Sequence, residues 1–141
     1  MTTFPLAGLL RVRGAQERVA AEQLARATAD VAQAQSGAQN AAASLAGISS
    51  DIGDGPALLA MAAARAAGRS ALSDLQTLTE LRRSEADAAK ASHVEARREL
   101  RGLERLESAH IAVTTKAELD AEQSALDEVA VVRALQTGSA A

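Results

Sequence analysis

The chain lacks most of the side chains on which a compact core or an active site usually depends. Its 141 residues include no cysteine, tryptophan or tyrosine, and Phe4 is the one aromatic residue. Without cysteine there is no disulfide, no thiolate nucleophile and no cysteine ligand for zinc. Because cores normally need aromatic and β-branched bulk, a sandwich, a barrel or a doubly wound α/β domain is excluded.

Other absences narrow the function classes. His93 and His110 are the two histidines, and they lie 17 residues apart, too far to bind one metal from a helix face. A net charge of −3 disfavours a nucleic-acid partner. No apolar run approaches the roughly 18–20 residues that span a bilayer, and the N-terminus has no signal-peptide core. We expect a soluble cytoplasmic protein with no nucleic-acid partner and no direct membrane insertion.

What the chain has in abundance is alanine. Apolar residues make up 48% of the chain, but 36 of them are Ala, 17 are Leu, and only two prolines interrupt the sequence. Together with many Glu, Lys and Arg residues, this composition is typical of long helices or a coiled coil. The sequence therefore predicts an all-α protein.

Helix-breaking residues cluster between Ser49 and Pro56, a stretch that contains two glycines and two aspartates. Pro56 suits the first turn of a second helix. A weaker break at Gly68–Ser70 leaves open whether residues 57–69 form a separate short helix or the second helix projects past its partner. The prediction is a single coiled-coil domain over residues 1–141, with helix 1 at 4–52, a turn at 53–56, helix 2 at 57–136 and a frayed tail at 137–141.

Seven-residue repeats run through both predicted helices. In helix 1, one row is Leu10, Glu17, Leu24, Val31, Ala38, Leu45 and Ile52, and its companion is Leu6, Arg13, Ala20, Ala27, Ala34, Ala41 and Ile48. In helix 2, one row is Leu75, Arg82, Ala89, Ala96, Leu103 and His110, and its companion is Leu78, Glu85, Ser92, Glu99, Leu106 and Val113. After Val113 the pattern shifts, and Leu119, Leu126 and Val129 define a new phase.

These rows predict how the helices pair. Helices with apolar rows must cover them, and a tethered partner is the least costly one to find. We therefore predict a long antiparallel two-helix coiled coil, a helical hairpin with unequal arms. Ala in the seam permits close approach but contributes little apolar area, so the stability per turn is expected to be low.

Catalysis is not expected. Gly53-Asp54-Gly55 lacks the Lys-Ser/Thr of a phosphate-binding loop, and carboxylates on solvated helix faces have no pocket to raise their pKa. We predict no catalytic residue, no bound cofactor and no metal site. His110 is expected to pack in the seam, and His93 is expected to be exposed.

Three features together resemble a known family. They are the opening from Phe4 to Arg13, continuing to Glu17 and Ala20; the turn Asp51-Ile52-Gly53-Asp54-Gly55 between a shorter and a longer helix; and Leu103-Glu104-Arg105-Leu106, followed by Glu122-Gln123 and Leu126-Asp127-Glu128. In order and spacing the chain resembles the flagellar export protein FliJ family over nearly its whole length.

The resemblance implies a function. Family members form an antiparallel two-helix coiled coil that docks in the hexameric ring of the flagellar export ATPase, promotes its assembly and activity, couples it to the export gate and handles export chaperones. It implies ATPase contacts near both termini, here Arg11, Arg13, Arg18, Glu122, Gln123, Asp127 and Glu128. It also implies a cytoplasmic protein, peripheral to the inner membrane at the flagellar base.

One departure concerns the export gate. The family often carries aromatic residues beside the turn, some of which help to bind the gate's cytoplasmic domain, but residues 57–65 contain none. We therefore assign the gate contact to Leu58, Leu59 and Met61 only as a hypothesis.

Three other functions are alternatives to this one. The stalk protein of a virulence-type secretion system would look similar, and neighbouring genes would separate the two. A helical chaperone or adaptor for secreted subunits needs more large apolar surface on one face. An amphipathic binder of lipid surfaces needs bulky side chains opposite a Lys/Arg-rich face, where this chain has alanine.

Overall fold

The computed structural model describes residues 3–51 and 53–139, and this part of the chain contains two helices and no strand. Helix α1 spans Ala7–Ala46, 40 residues, and helix α2 spans Gly55–Gly138, 84 residues. The helices pack against each other in each of two compact units. The predicted all-α fold of two paired helices of unequal length is confirmed.

One unit, Gln16–Arg97, contains most of α1, the loop and the first half of α2. Near one end of this part of α1, Glu17 contacts His93, and near the other end Leu45 lies over Gly68. Low residue numbers on α1 thus face high numbers on α2. This unit is an antiparallel helical hairpin.

The other unit combines the start of the chain, up to Ala15, with residues from Arg98 onward. Arg13 contacts Glu99, and the Phe4 ring lies 5.6 Å from the His110 ring, tilted by 50°. The pairing here is antiparallel as well. His110 is half-buried, so part of its surface is covered by Phe4.

Helix α1 is shorter at both ends than the expected range 4–52. It begins at Ala7, whose N–H donates to the Phe4 carbonyl at 3.1 Å. It ends at Ala46, because Gly47 and the serines that follow are weak helix formers. Gly47 N–H still donates to the Ala43 carbonyl at 3.0 Å, which closes the last turn.

Helix α2 begins at Gly55 because Asp54 caps it. The Asp54 carboxylate accepts a hydrogen bond from the Ala57 N–H at 2.9 Å, as an N-cap does. Pro56 then lies in the first turn, where no hydrogen bond needs its missing N–H. The helix continues without interruption through Gly68, where a Cβ would lie 3.0 Å from Leu45 Cδ1. Residues 57–69 are therefore part of α2.

The seam of the hairpin unit is lined mainly by small side chains. Three of its residues are buried: Ala20 and Ala34 on α1, and Thr79 on α2. The Thr79 hydroxyl donates to the Leu75 carbonyl at 2.8 Å, so its polar atom is satisfied. The half-buried α1 residues include Leu24, Ala27, Val31, Ala38, Ala41, Leu45 and Ile48. Ile52 lies outside the described residues.

On α2 the covered rows differ in part from the expected ones. The row through Leu75, Arg82, Ala89, Ala96, Leu103 and His110 is half-buried. Its companion follows at four residues rather than three: Leu72, Thr79, Ala86, His93, Leu100, Glu107 and Thr114. Leu78, Leu106 and Val113 of the expected companion row are 37%, 54% and 69% exposed, and Leu6 on α1 is 40% exposed. The covered row includes the buried Thr79, and Glu99 of the expected companion row is half-buried as well.

Two polar contacts, one of them an ion pair, cross between the helices within the seam. His93 Nε2 lies 2.9 Å from Glu17 Oε1, and the two side chains are only 18% and 19% exposed, so His93 is not the exposed residue that we expected. The Arg13 guanidinium binds the Glu99 carboxylate, and both side chains are about a third exposed. Alanine rows fit together in several registers, whereas these polar partners meet in one, so the two contacts favour a single register.

We expect Leu75→Ala to lower the free energy of unfolding by about 1–3 kcal/mol, because it removes a half-buried side chain that packs beside Gly37. The matched control is Leu81→Ala, since Leu81 is 54% exposed; it should change stability by no more than about 0.5 kcal/mol. Urea unfolding followed by circular dichroism measures both. Equal losses in the two variants would contradict the observed seam.

A charge reversal tests the Arg13–Glu99 pair. Arg13→Glu places two carboxylates face to face and should cost about 1 kcal/mol, whereas the double variant R13E/E99R should recover most of that loss. Arg11→Glu changes the net charge equally at an exposed position and serves as the control. If thermal unfolding shows no recovery in the double variant, the pair does not stabilise this register.

Candidate protein-interaction site

The described residues offer surfaces rather than a catalytic pocket. Within residues 3–51 and 53–139, no group of three or more His, Asp or Glu side chains is placed to hold a metal ion. The grooves beside the hairpin seam are open to solvent, and polar side chains such as Gln35, Gln39 and Gln76 line one of them. The described residues also present exposed helix faces.

The surroundings of Arg82, a half-buried residue of the seam, favour its charged form. Arg82 Nη1 donates to Glu85 Oε2 at 2.8 Å, and this hydrogen bond raises the pKa of Arg82. The negative charges of Glu85 and, to a smaller extent, Asp30 act in the same direction. The guanidinium is therefore a permanent cation and cannot act as a general base.

The three basic residues near the start of α1 lie in different surroundings. Arg11 and Arg18 are exposed, so another molecule can reach them. Arg13 is half-buried and turns toward α2, where it binds Glu99. Only two of the three arginines are thus presented to solvent.

The acidic and amide residues near the end of α2 are all exposed. Glu122, Gln123, Asp127 and Glu128 lie beyond Thr114, the last residue of α2 that is even half-buried among the described ones. Gln123 Nε2 donates to Asp127 Oδ1 at 3.1 Å, one turn further along the helix. These side chains are held on a regular helix and are open to a partner.

The same part of α2 also exposes large apolar side chains. We call residues 115–138 the uncovered segment, because every residue in it is exposed. Leu119, Leu126 and Leu135 are 59%, 66% and 69% exposed, and Val129, Val131 and Val132 are between 48% and 59% exposed. Leu126 and Val129, which we expected in the coiled-coil seam, are therefore not covered by α1.

A smaller apolar patch lies just after the loop. Leu58 and Leu59 are 50% and 73% exposed, and Met61 is half-buried. Arg65 Nη2 donates to the Ser49 carbonyl at 3.3 Å and joins the loop to the first turns of α2. The patch therefore lies on the first turns of α2, which this hydrogen bond joins to the loop.

No described helix is both long enough and apolar enough to cross a membrane. Comparison with curated proteins found no match, and comparison with solved structures found none either. The family model for the flagellar FliJ protein, in contrast, matches residues 2–139 of the chain. Since the match covers almost the full length, and since the chain folds into two paired helices, this protein belongs to the flagellar FliJ family of non-catalytic components associated with flagellar protein export.

Proposed function

We propose that this chain docks in the hexameric ring of the flagellar export ATPase, promotes the assembly and activity of that ring, and couples it to the cytoplasmic domain of the export gate. Handling of export chaperones belongs to the same proposal. The observation that supports it is the family match over residues 2–139, together with a fold of two paired helices that present exposed faces. The proposed location is the cytoplasmic side of the inner membrane at the flagellar base.

The ATPase contact is proposed to use exposed charges of both signs. Arg11 and Arg18 provide positive charge on α1, and Glu122, Asp127 and Glu128 provide negative charge on α2, with Gln123 among them. Solvated charges speed encounter and select partners more than they hold them. Such a contact suits a protein that binds and leaves its partner repeatedly.

Arg13 has a different role in this proposal. Its guanidinium is engaged by Glu99 between the helices, so using it for the ATPase would leave Glu99 without that contact. We therefore assign Arg13 to the register of the helices, and Arg11 and Arg18 to the partner.

The gate contact is proposed at the apolar patch of Leu58, Leu59 and Met61. Leu59 is 73% exposed and is the most accessible large side chain there. The patch is small, so it can contribute only a weak contact by itself.

The ATPase contact is tested with the double variant R11E/R18E and the purified export ATPase. We expect the concentration of this chain that gives half-maximal stimulation of ATP hydrolysis to rise about tenfold, because two attractive contacts become repulsive. The single variants Arg11→Glu and Arg18→Glu are compared with Arg26→Glu, which makes the same change in charge, since Arg26 is 76% exposed on the same helix and carries no proposed contact. Light scattering reports ring assembly in the same samples.

The outcome is decisive in both directions. If R11E/R18E stimulates the ATPase as well as the unaltered chain does, the proposed α1 contact is wrong. If the unaltered chain neither assembles the ring nor raises the rate of hydrolysis, docking on the ATPase is wrong as a whole.

A further inference from the structure

Three large apolar residues of the uncovered segment, Leu119, Leu126 and Val129, do not continue the row that faces α1. That row runs through Leu103, Glu107, His110 and Thr114 in steps of four and three. Its continuation falls on Ala117, Ala121, Ser124 and Glu128, none of which is a large apolar residue, and reaches large apolar side chains only further on, at Val131 and Leu135. Leu119 lies five residues beyond Thr114, which places it about 140° around the helix from that row. The segment therefore carries a second face with its own phase.

This second face is a regular coiled-coil row. Its members alternate in steps of three and four, as a heptad seam does. They are Leu119, Glu122, Leu126, Val129, Arg133 and Gln136, and all are exposed. We call this set the 119–136 row.

The 119–136 row is complementary to itself when two copies run antiparallel. If the central Leu126 faces Val129 of a second copy, then Glu122 faces Arg133 of that copy. The outer layer pairs Leu119 with Gln136. A two-fold axis repeats each of these contacts. The row therefore makes two apolar layers, with one Glu122–Arg133 ion pair on each side of them.

The flanking positions are also compatible with this pairing. Gln123 comes beside Ala130 of the second copy, and Ala125 comes beside Val132, so no like charges meet at the edges. Asp127 and Glu128 point more than about 100° away from the centre of the row. Each of these edge contacts includes an alanine, Ala130 or Ala125, so the edges do not hold the two helices apart.

A parallel arrangement of the same row is unfavourable. In a parallel pair each residue faces its own copy, so Glu122 meets Glu122 and Arg133 meets Arg133. Like charges in a seam are repulsive and specify against that orientation. The charge pattern therefore favours the antiparallel over the parallel pairing of two copies.

We propose that the uncovered segment binds the same segment of a second copy of this chain, antiparallel, about an axis between Asp127 and Glu128. The apolar layers are few, so the dimer is weak and reversible, at the low end of specific interfaces. A corollary rests on the proposed function: Glu122 would serve either the second copy or the ATPase, so self-pairing and docking exclude each other. The dimer itself does not depend on the ATPase.

Sedimentation equilibrium of the full chain alone tests the dimer, up to roughly millimolar concentration, where weak self-association becomes visible. Glu122→Arg and Arg133→Glu should each raise the dissociation constant at least about tenfold, since two attractions become two repulsions. The double variant E122R/R133E should return it to within about threefold of the unaltered value, because the opposite charges are restored. Glu128→Arg makes the same change in net charge outside the row and should alter it by less than about twofold.

Orientation is measured separately. Because the chain has no cysteine, Thr137→Cys offers a single site for a spin label. In the antiparallel dimer the two labels are separated by about 29 Å along the helix axis, whereas a parallel dimer brings them side by side. Pulsed electron paramagnetic resonance distinguishes these distances.

Several outcomes would overturn the proposal. They are a monomer at the highest concentration, equal effects of Glu122→Arg and Glu128→Arg, no recovery in the double variant, or labels close together. Circular dichroism of each variant confirms that its helices are intact. None of these measurements involves the ATPase, so a failed dimer leaves the docking proposal standing, and a failed docking assay leaves the dimer standing.

Discussion

The close approach of two helices across small side chains is the constraint on which the structure depends. Ala20 and Ala34 are buried because α2 lies directly over them, and Gly68 leaves just enough room for Leu45. Such a seam removes little apolar area from water per turn. Stability must therefore be accumulated along many turns, and the short tether at residues 47–54 keeps the partner helix nearby.

A seam of alanine does not by itself define one register of the two helices, and polar residues in the seam do. One alanine row fits another almost equally well after a shift of one heptad, whereas Glu17 with His93 and Arg13 with Glu99 match in one alignment. The half-buried Arg13–Glu99 pair costs desolvation free energy and adds little net stability, so its contribution, like that of the Glu17–His93 contact, is specificity of register. The molecule thus separates the residues that hold the helices together from the residues that align them.

The sequence could predict the class of fold and the number of helices, because composition and the break at Ser49–Pro56 depend only on local chemistry. It could not predict the precise helix ends. The start of α2 depends on the Asp54 cap, and the end of α1 depends on how far the helix extends before Gly47.

The row of α2 that packs against α1 was harder to predict than the presence of the helix itself. From Leu75 a companion row can follow after three or four residues, and the large Leu78 and Leu106 favoured the wrong one of the two. Thr79 and Ala86 face α1 instead, because the covered row is set by how the two helices pack together and not by the heptad spacing alone. The pairing of His93 with Glu17 was hidden for the same reason, since it exists only once the register is known. The partner contacts of Arg11, Arg18 and the α2 acids stay a prediction.

The apolar patch after the loop and the uncovered segment differ in the contacts that hold them in place. The patch at Leu58 and Leu59 stands on a helix start that is capped by Asp54 and joined to the loop by Arg65. The uncovered segment has only its own backbone hydrogen bonds and side-chain bonds one turn apart, such as Gln123 to Asp127. A partner at the patch meets a fixed surface, whereas a partner at the segment meets a helix that can adjust.

That lack of support has a consequence for motion. A helix without a packed neighbour keeps its structure only through local propensity, and helix–coil exchange in such segments takes roughly 0.1–1 μs. The backbone amides after Thr114 should therefore trade their hydrogens for deuterium well before those under Ala20 and Thr79 do. Any molecule that binds residues 115–138 would slow this exchange. Deuterium uptake measured peptide by peptide along α2 therefore shows whether the uncovered segment is bound.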